Sequence, residues 1–142
     1  MLRKLLFSAI ASIMGAAPVA AQNEWEAVSF SLVEVSKGDA TTLYSRQELE
    51  EAGGGLDAVR LYSAEVETPQ GRLVMGALPG FCGLEACYLK VALEAPDGQH
   101  IEPADIQPVC PAFADHAEIR PSTMTLRACD VEIDLAALFA QH

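Results

Sequence analysis

The side chains of this sequence with the widest choice of chemistry are the thiols of Cys82, Cys87, Cys110 and Cys129. Paired thiols can close a disulfide, cycle as a redox couple or ligate a metal ion. Cys82 and Cys87 enclose four residues, whereas a thioredoxin-like motif has the shorter C-x-x-C spacing and c-type haem attachment needs C-x-x-C-H. No second pair has zinc-finger spacing. The spacing therefore favours disulfides, and we expect neither a metal nor a cofactor.

Four cysteines can pair in three ways. We expect Cys82 to pair with Cys87, because the intervening glycine and the preceding Pro-Gly turn make a short ring sterically easy. Cys110 would then pair with Cys129 and hold the proline-rich segment 103–121 against the strand that follows. Pairings that cross-link the two regions stay open at this stage, since spacing alone does not fix the connectivity.

The N-terminus has the layout of a secretory signal peptide. A basic start precedes an apolar run over 5–17, and small residues lead up to Gln22. The run is shorter than the roughly 20 residues that cross a bilayer. We therefore predict that 1–21 are a signal peptide and that 22–142 form one exported domain, periplasmic or secreted, where oxidising conditions suit disulfides. An uncleaved N-terminal anchor is the alternative.

Catalytic motifs are missing from the sequence. His100, His116 and His142 are the side chains able to act as a base near neutral pH, and none of them stands in an H-E-x-x-H motif. No serine lies in a G-x-S-x-G elbow, and the glycine run 53–55 lacks the lysine of a phosphate-binding loop. The sequence therefore predicts a protein that is not an enzyme, with no catalytic residue.

Net charge indicates the class of partner. Residues 22–142 hold seven Lys and Arg against twenty Asp and Glu, a formal charge of −13. Such a surface repels nucleic acid and anionic lipid headgroups, so we expect no nucleic-acid binding and no membrane insertion of the cleaved chain. The same charge attracts a basic protein, although an acidic surface also serves solubility alone.

Two acidic clusters are candidate contacts for a basic partner. They are Asp130, Glu132 and Asp134, spaced by two on a predicted strand, and Glu48, Glu50 and Glu51 on a predicted helix. A row of carboxylates on one strand face can receive lysines and arginines from another protein. Each cluster also has a structural interpretation, as the polar face of a half-buried strand or the solvated face of a helix.

The long irregular stretch 103–116 is a third candidate surface. Loops of this length are uncommon in compact domains and are often functional. Braced by a disulfide, the stretch would present Phe113, Asp115 and His116 as a preorganised epitope. In the alternative, Phe113 and Ile106 turn inward and close one end of the domain.

Alternating apolar residues predict strands over much of the remaining chain. The clearest cover 26–34, 58–67, 72–78 and 87–94. The second and third flank a Thr-Pro-Gln-Gly turn and predict a hairpin. Further on, the apolar face changes near Cys129, which predicts a bulge or a bend within one strand. The tail 135–142 fits either a helical turn or an extension of that strand.

Helix signals are fewer. Ser45 and Glu48 have the spacing of a capping box, which predicts a helix over 46–52 that ends at Gly53. Together these patterns predict a mainly antiparallel β domain, a sandwich or a small barrel, with one short helix and two disulfides.

The function expected of such a domain is that of a small acidic exported binding protein. Its partner would be a basic protein of the cell envelope, which the domain would bind as an inhibitor or an immunity-type protein. The alternative is a structural or accessory subunit of an envelope complex, whose acidic surface has no electrostatic partner.

Overall fold

The computed structural model describes residues 24–36, 41, 43–55, 57–105 and 108–141. Within these ranges the chain forms nine strands and three short helices. The strands are β1 Glu26–Ala27, β2 Ser31–Ser36, β3 Ala58–Thr68, β4 Gly71–Ala77, β5 Lys90–Glu94, β6 His100–Asp105, β7 Ala117–Arg120, β8 Thr125–Ala128 and β9 Val131–Asp134. The helices are α1 Arg46–Gly53, α2 Phe113–His116 and α3 Leu135–Phe139, and a 3-10 turn covers Pro79–Phe81. The predicted signal peptide lies outside the described residues.

The strands form two antiparallel sheets. One has the order β2-β3-β4-β5-β6, and the other has the order β1-β7-β8-β9. In the part of the chain that the structure describes, neither sheet closes on itself, so the fold is a sandwich rather than a barrel. The prediction of a mainly β domain with antiparallel strands is confirmed, including the hairpin of β3 and β4.

The main hydrophobic core lies between the two sheets. Alternate residues of β4 and β5 meet alternate residues of β7, β8 and β9, and the largest contributors are Leu73, Met75, Val91, Leu93, Ile119, Leu126 and Ile133. The alternation predicted over 87–94 is confirmed in part: Cys87, Leu89, Val91 and Leu93 are buried in this core and Tyr88 is exposed. The strand begins only at Lys90, however, and Ala92 is buried on its other face, so β5 has two buried faces rather than one. Burial of this apolar surface is the main force that holds the two sheets together.

A second, smaller core lies on the opposite face of the five-stranded sheet, under α1. Leu49 of α1 is fully buried there against Val59, Leu61 and Val74. The predicted capping box starts the helix: Glu48 N–H donates to Ser45 Oγ at 3.2 Å, and Ser45 N–H donates to Glu48 Oε2 at 2.8 Å. The domain therefore has three layers, a helix and two sheets.

Two strand predictions need correction. The segment predicted as one strand over 26–34 is divided, because the chain leaves the four-stranded sheet after β1 and enters the other sheet at β2. The change of apolar face near Cys129 is a reversal of the chain, not a bulge: Ala128 pairs with Val131, so Cys129 and Asp130 form the turn of a β8–β9 hairpin. Ile133 of β9 therefore returns to the same core as Leu126 of β8.

The stretch predicted as irregular over 103–116 is mostly regular. Strand β6 extends to Asp105, Val109 pairs with Cys87 in an isolated bridge, and α2 begins at Phe113. The tail forms α3 rather than an extension of β9. The length of free loop available as a binding epitope is correspondingly smaller than the sequence indicated.

Candidate partner-binding surfaces

All four cysteines are paired, Cys82 with Cys87 and Cys110 with Cys129, as predicted. The Cα atoms of the two pairs are 4.2 Å and 6.3 Å apart, respectively. All four sulfurs are therefore in the disulfide form. Two disulfides in a domain of this size indicate an oxidising, extracytoplasmic environment.

A groove of about 540 Å³ lies beside the Cys110–Cys129 bridge. It brings Asp115 and His116 of α2 together with Asp130 of the β8–β9 turn. The sequence had placed these residues in two separate candidate surfaces. They converge because the disulfide joins the segment before α2 to the β8–β9 turn. The predicted pairing of Cys110 with Cys129 was the available signal for this convergence, and the sequence reasoning did not use it.

The groove is acidic because α2 contributes the carboxylate of Asp115 and the β8–β9 turn contributes that of Asp130. Asp115, Asp130 and His116 are exposed. Glu118 also lines the groove, but both Nε, at 3.0 Å, and Nη2 of Arg127 donate to its Oε2. The carboxylates of Asp115 and Asp130 therefore dominate the charge, and such groups accept charge-assisted hydrogen bonds from lysine or arginine.

The rest of the predicted acidic row has structural contacts. Asp134 is the N-cap of α3, and its Oδ1 accepts a hydrogen bond from Ala137 N–H at 3.0 Å. Glu132 lies opposite Arg127 in the β8–β9 register. Neither residue lines the groove. The row is therefore divided, with Asp130 at the groove, Glu132 beside a cation and Asp134 at a helix start.

The predicted cluster on α1 is also committed to contacts within the fold. Glu48 pairs with Lys90 of β5. Burial raises the pKa of Glu48, but the hydrogen bonds from Lys90 and Ser45 and the charge of Lys90 outweigh this effect, so that the pKa is lowered overall. The other two carboxylates accept hydrogen bonds along the helix, Glu50 from Arg46 at 2.9 Å and Glu51 from Gln47 at 3.0 Å. These contacts favour the structural interpretation.

Phe113 turns inward. It is fully buried, and its ring packs edge-on against Phe30 and Tyr62, with centroids 5.0 Å and 5.5 Å apart. Of the two alternatives for Phe113, the inward one is therefore correct, and its ring offers no exposed epitope. Ile106, the other residue of that alternative, lies outside the described residues.

A polar cleft of about 530 Å³ lies at the end of the five-stranded sheet that α1 does not cover. Arg72 and Glu94 line it, and Arg72 Nε donates to Glu94 Oε2 at 3.0 Å, while its Nη1 donates to Glu65 Oε2 at 3.2 Å. The hydrogen bond with Glu94 and the charges of both carboxylates raise the pKa of Arg72. Because Arg72 places a cation among the carboxylates of this cleft, it is a weaker candidate for binding a basic partner than the groove.

The ring closed by Cys82 and Cys87 carries a feature that the sequence reasoning missed. Leu84 at its tip is fully exposed (101%). The available signal was that Leu84 is the large apolar residue among the Gly, Glu and Ala enclosed by the two cysteines. The sequence had assigned this ring a bracing role alone.

Comparison with known proteins found no matching family model, curated protein or solved structure. Over the described residues, no group of three or more His, Cys, Asp and Glu side chains is arranged to hold a metal ion. None of the helices in the described part of the chain is long and apolar enough to cross a membrane. The features that bear on function are therefore the groove beside Cys110–Cys129 and the negative charge of the domain.

Proposed function

We propose that this chain is a small acidic exported binding protein that associates with a basic protein of the cell envelope through the groove beside Cys110–Cys129. Residues 1–21 act as its signal peptide, and the mature domain works in the periplasm or after secretion. It acts by binding, as an inhibitor or an immunity-type partner, and not by catalysis.

The observation that carries this proposal is the convergence of Asp115 and Asp130 on one groove from two elements that a disulfide joins. Exposed carboxylates held by a rigid frame lose little side-chain and backbone freedom when a lysine or arginine docks between them. By contrast, the carboxylates of α1 already have partners within the fold. The groove is therefore the better site for a cation from another protein.

Long-range charge supports the same class of partner. A formal charge of −13 on residues 22–142 accelerates the encounter with a basic protein and slows the encounter with an acidic one. Electrostatic steering of this kind raises association rates by about 10- to 1,000-fold at low salt. The proposed association should therefore become slower as ionic strength rises.

The alternative role, an accessory subunit of an envelope complex, has one observation in its favour. Leu32 and Val33 are exposed on β2, which is an edge strand of the five-stranded sheet. An edge strand with apolar side chains can add to the sheet of another protein. Association of that kind would depend on apolar burial and backbone hydrogen bonds, and salt would affect it little.

The test compares two double variants with the same change of charge. One removes the groove carboxylates, Asp115→Asn with Asp130→Asn, and the control removes Glu50 and Glu51 of α1 by substitution with Gln. The probe is the cationic protein that immobilised residues 22–142 retain from envelope extract of the producing organism at low salt. Binding kinetics are then measured with that protein in purified form over a range of salt concentrations.

Both double variants should slow association to a similar extent, because both reduce the net charge equally. The groove variant alone should also dissociate faster, with an overall loss of affinity of roughly tenfold, since it removes direct contacts. Equal dissociation rates for the two variants would exclude the groove as the site. If no cationic protein is retained at low salt, or if association is independent of salt, the proposal of a basic partner fails.

A further inference from the structure

We propose that the ring Cys82–Cys87 is a second binding element, which inserts Leu84 into an apolar pocket with a basic rim on a partner protein. The inference rests on the proposed function because it requires a protein partner. It does not require that this partner also contacts the groove. The two sites are made of different residues, so each can be tested while the other is intact.

The stem of the ring is fixed at both ends. Cys87 is buried, and it exchanges two backbone hydrogen bonds with Val109, each 2.8 Å long. On the other side, Cys82 N–H donates to Pro79 O at 3.0 Å, at the end of the 3-10 turn. The disulfide then closes the ring between two anchored positions.

The tip of the ring is tight. Gly83 N–H donates to Ala86 O at 2.8 Å, which leaves Leu84 and Glu85 as the two residues of the turn. Because the disulfide and these hydrogen bonds already fix the backbone of the turn and its stem, a partner that buries Leu84 has only the leucine side chain to order. A fixed tip with one large apolar side chain has the form of an interface anchor.

A single exposed leucine is common on protein surfaces, and its exposure alone indicates nothing. Here the residues directly outside the bridge are also large and apolar, and Phe81 is 40% and Tyr88 58% exposed. Three such side chains therefore lie within eight residues of sequence, at and beside one covalent ring, and each exposes at least 40% of its surface; together they define the apolar patch of the ring. Aromatic side chains next to an aliphatic anchor are typical of the centre of an interface.

The negative charge of the domain decides which kind of partner could cover this patch. Glu85 is exposed beside Leu84, and the domain carries a high negative charge. A second copy of this chain would bring the same charge to the contact, and an anionic membrane surface would repel it. A foreign protein whose pocket is apolar within and basic at the rim satisfies both Leu84 and Glu85.

The first step of the test is photocrosslinking in envelope extract of the producing organism. Residues 22–142 are prepared with p-benzoylphenylalanine at position 84 and, as the control, at position 70. Gln70 is exposed in the β3–β4 turn, at the end of the sheet where Arg72 pairs with Glu94, whereas the ring precedes Lys90 at the other end of β5. We expect one cationic protein to crosslink from position 84 and not from position 70.

The second step measures the affinity of that protein, once purified, for matched variants. Leu84→Ala should weaken binding on the order of 30-fold, mainly through faster dissociation, as expected for an interface anchor. Gln70→Ala should change affinity less than about twofold, as for a residue outside the interface. Glu85→Gln should slow association at low salt. The circular dichroism spectrum and melting temperature should be unchanged in all three variants.

Several outcomes would overturn the inference. They are the absence of a crosslink specific to position 84, a crosslink to a second copy of this chain, and unchanged affinity of Leu84→Ala. Flotation that depends on Leu84 with vesicles of phosphatidylcholine and phosphatidylglycerol would also count against it, because it would assign the patch to lipid. Failure of the groove proposal can be distinguished from failure of this inference. In that case the double variant Asp115→Asn with Asp130→Asn would bind the partner as tightly as the wild type, while the Leu84→Ala variant would bind it more weakly.

Discussion

The two disulfides of this domain are alike in chemistry and different in what they hold. Cys110–Cys129 joins residues 19 apart in sequence and fixes the segment before α2 to the turn of the β8–β9 hairpin. Cys82–Cys87 joins residues five apart and closes a ring within one loop. The first therefore constrains the relation between elements, whereas the second constrains the shape of a single segment.

The large apolar residue associated with each bridge shows the same difference. Phe113, three residues after Cys110, is 0% exposed, and Leu84, inside the other ring, is fully exposed. A buried ring in contact with other aromatics stabilises the fold. An apolar side chain held out in water contributes nothing to the fold and is available to a partner. A cysteine pair alone therefore does not reveal whether a disulfide stabilises the fold or fixes a segment that a partner contacts.

Phe113 should make the largest contribution to stability of the residues near the two bridges. Phe113→Ala should lower the free energy of unfolding by about 3–5 kcal/mol, because it leaves a cavity beside Phe30 and Tyr62. Phe113→Leu is the milder control and should lower it less. Urea unfolding of the oxidised protein measures both. A loss below about 1 kcal/mol for Phe113→Ala would mean that the segment after Cys110 is not part of the core.

Removal of the long-range bridge should have the next largest effect. In the chain-entropy description, closing a loop of this length stabilises the folded state by about 3 kcal/mol. We expect Cys110→Ala with Cys129→Ala to lower the free energy of unfolding by about that amount and to loosen α2 against the β8–β9 turn. Hydrogen exchange of the amides in these two segments should increase. Unchanged exchange there would contradict the bracing role.

Features encoded in short stretches of sequence were predictable. The capping box at Ser45 and Glu48 and the β3–β4 turn are each specified within four residues. In that turn Gly71 adopts φ 138°, which other residues rarely accept. The cysteine pairing was predictable because a short ring was sterically easy and left one partner for the remaining pair. Such signals act between near neighbours, so one sequence is enough to read them.

Features that depend on distant contacts were not predictable. The alternating pattern of 26–34 could not show that β1 and β2 belong to different sheets, because both strands have the same period. The reversal at Cys129 was missed because its φ of 59° lies in the left-handed region that usually signals glycine or asparagine. In the candidate site, the predicted pairing of Cys110 with Cys129 was a signal for the convergence of Asp115 with Asp130, but the convergence also depends on the tertiary position of α2. The exposure of Leu84 likewise depends on what the fold leaves uncovered.

Removal of the short bridge, Cys82–Cys87, should lower stability less than removal of Cys110–Cys129 does. Closing a ring of this size stabilises the folded state by about 2 kcal/mol in the chain-entropy description, and we expect Cys82→Ala with Cys87→Ala to lose no more than that. Binding to the partner captured in extract should fall further than stability does, because the tip is no longer preorganised. A stability loss larger than that of the Cys110–Cys129 variant would reverse the assignment of the two bridges.

The smallest expected effect concerns the ion pair that links α1 to β5, the strand that follows the ring. Glu48→Gln keeps the side-chain acceptor of the capping box and removes the charge that pairs with Lys90. Because the pair is partly exposed, we expect a loss of about 0.5–1 kcal/mol near neutral pH. Glu51→Gln, whose partner is the neutral Gln47, is the matched control and should change stability by less than about 0.5 kcal/mol.

The dependence of this last effect on pH follows from the lowered pKa of Glu48. A carboxylate whose pKa is lower in the folded state stabilises the protein above its unfolded pKa, and that contribution disappears as the pH falls through the folded value. The difference between wild type and Glu48→Gln should therefore be largest near about pH 7 and shrink progressively as the pH falls below the ordinary pKa of glutamate, about 4.3. Urea unfolding over a series of pH values on both sides of that pKa measures it. A difference that stays constant into acid would mean that the charge of Glu48 is not its cause.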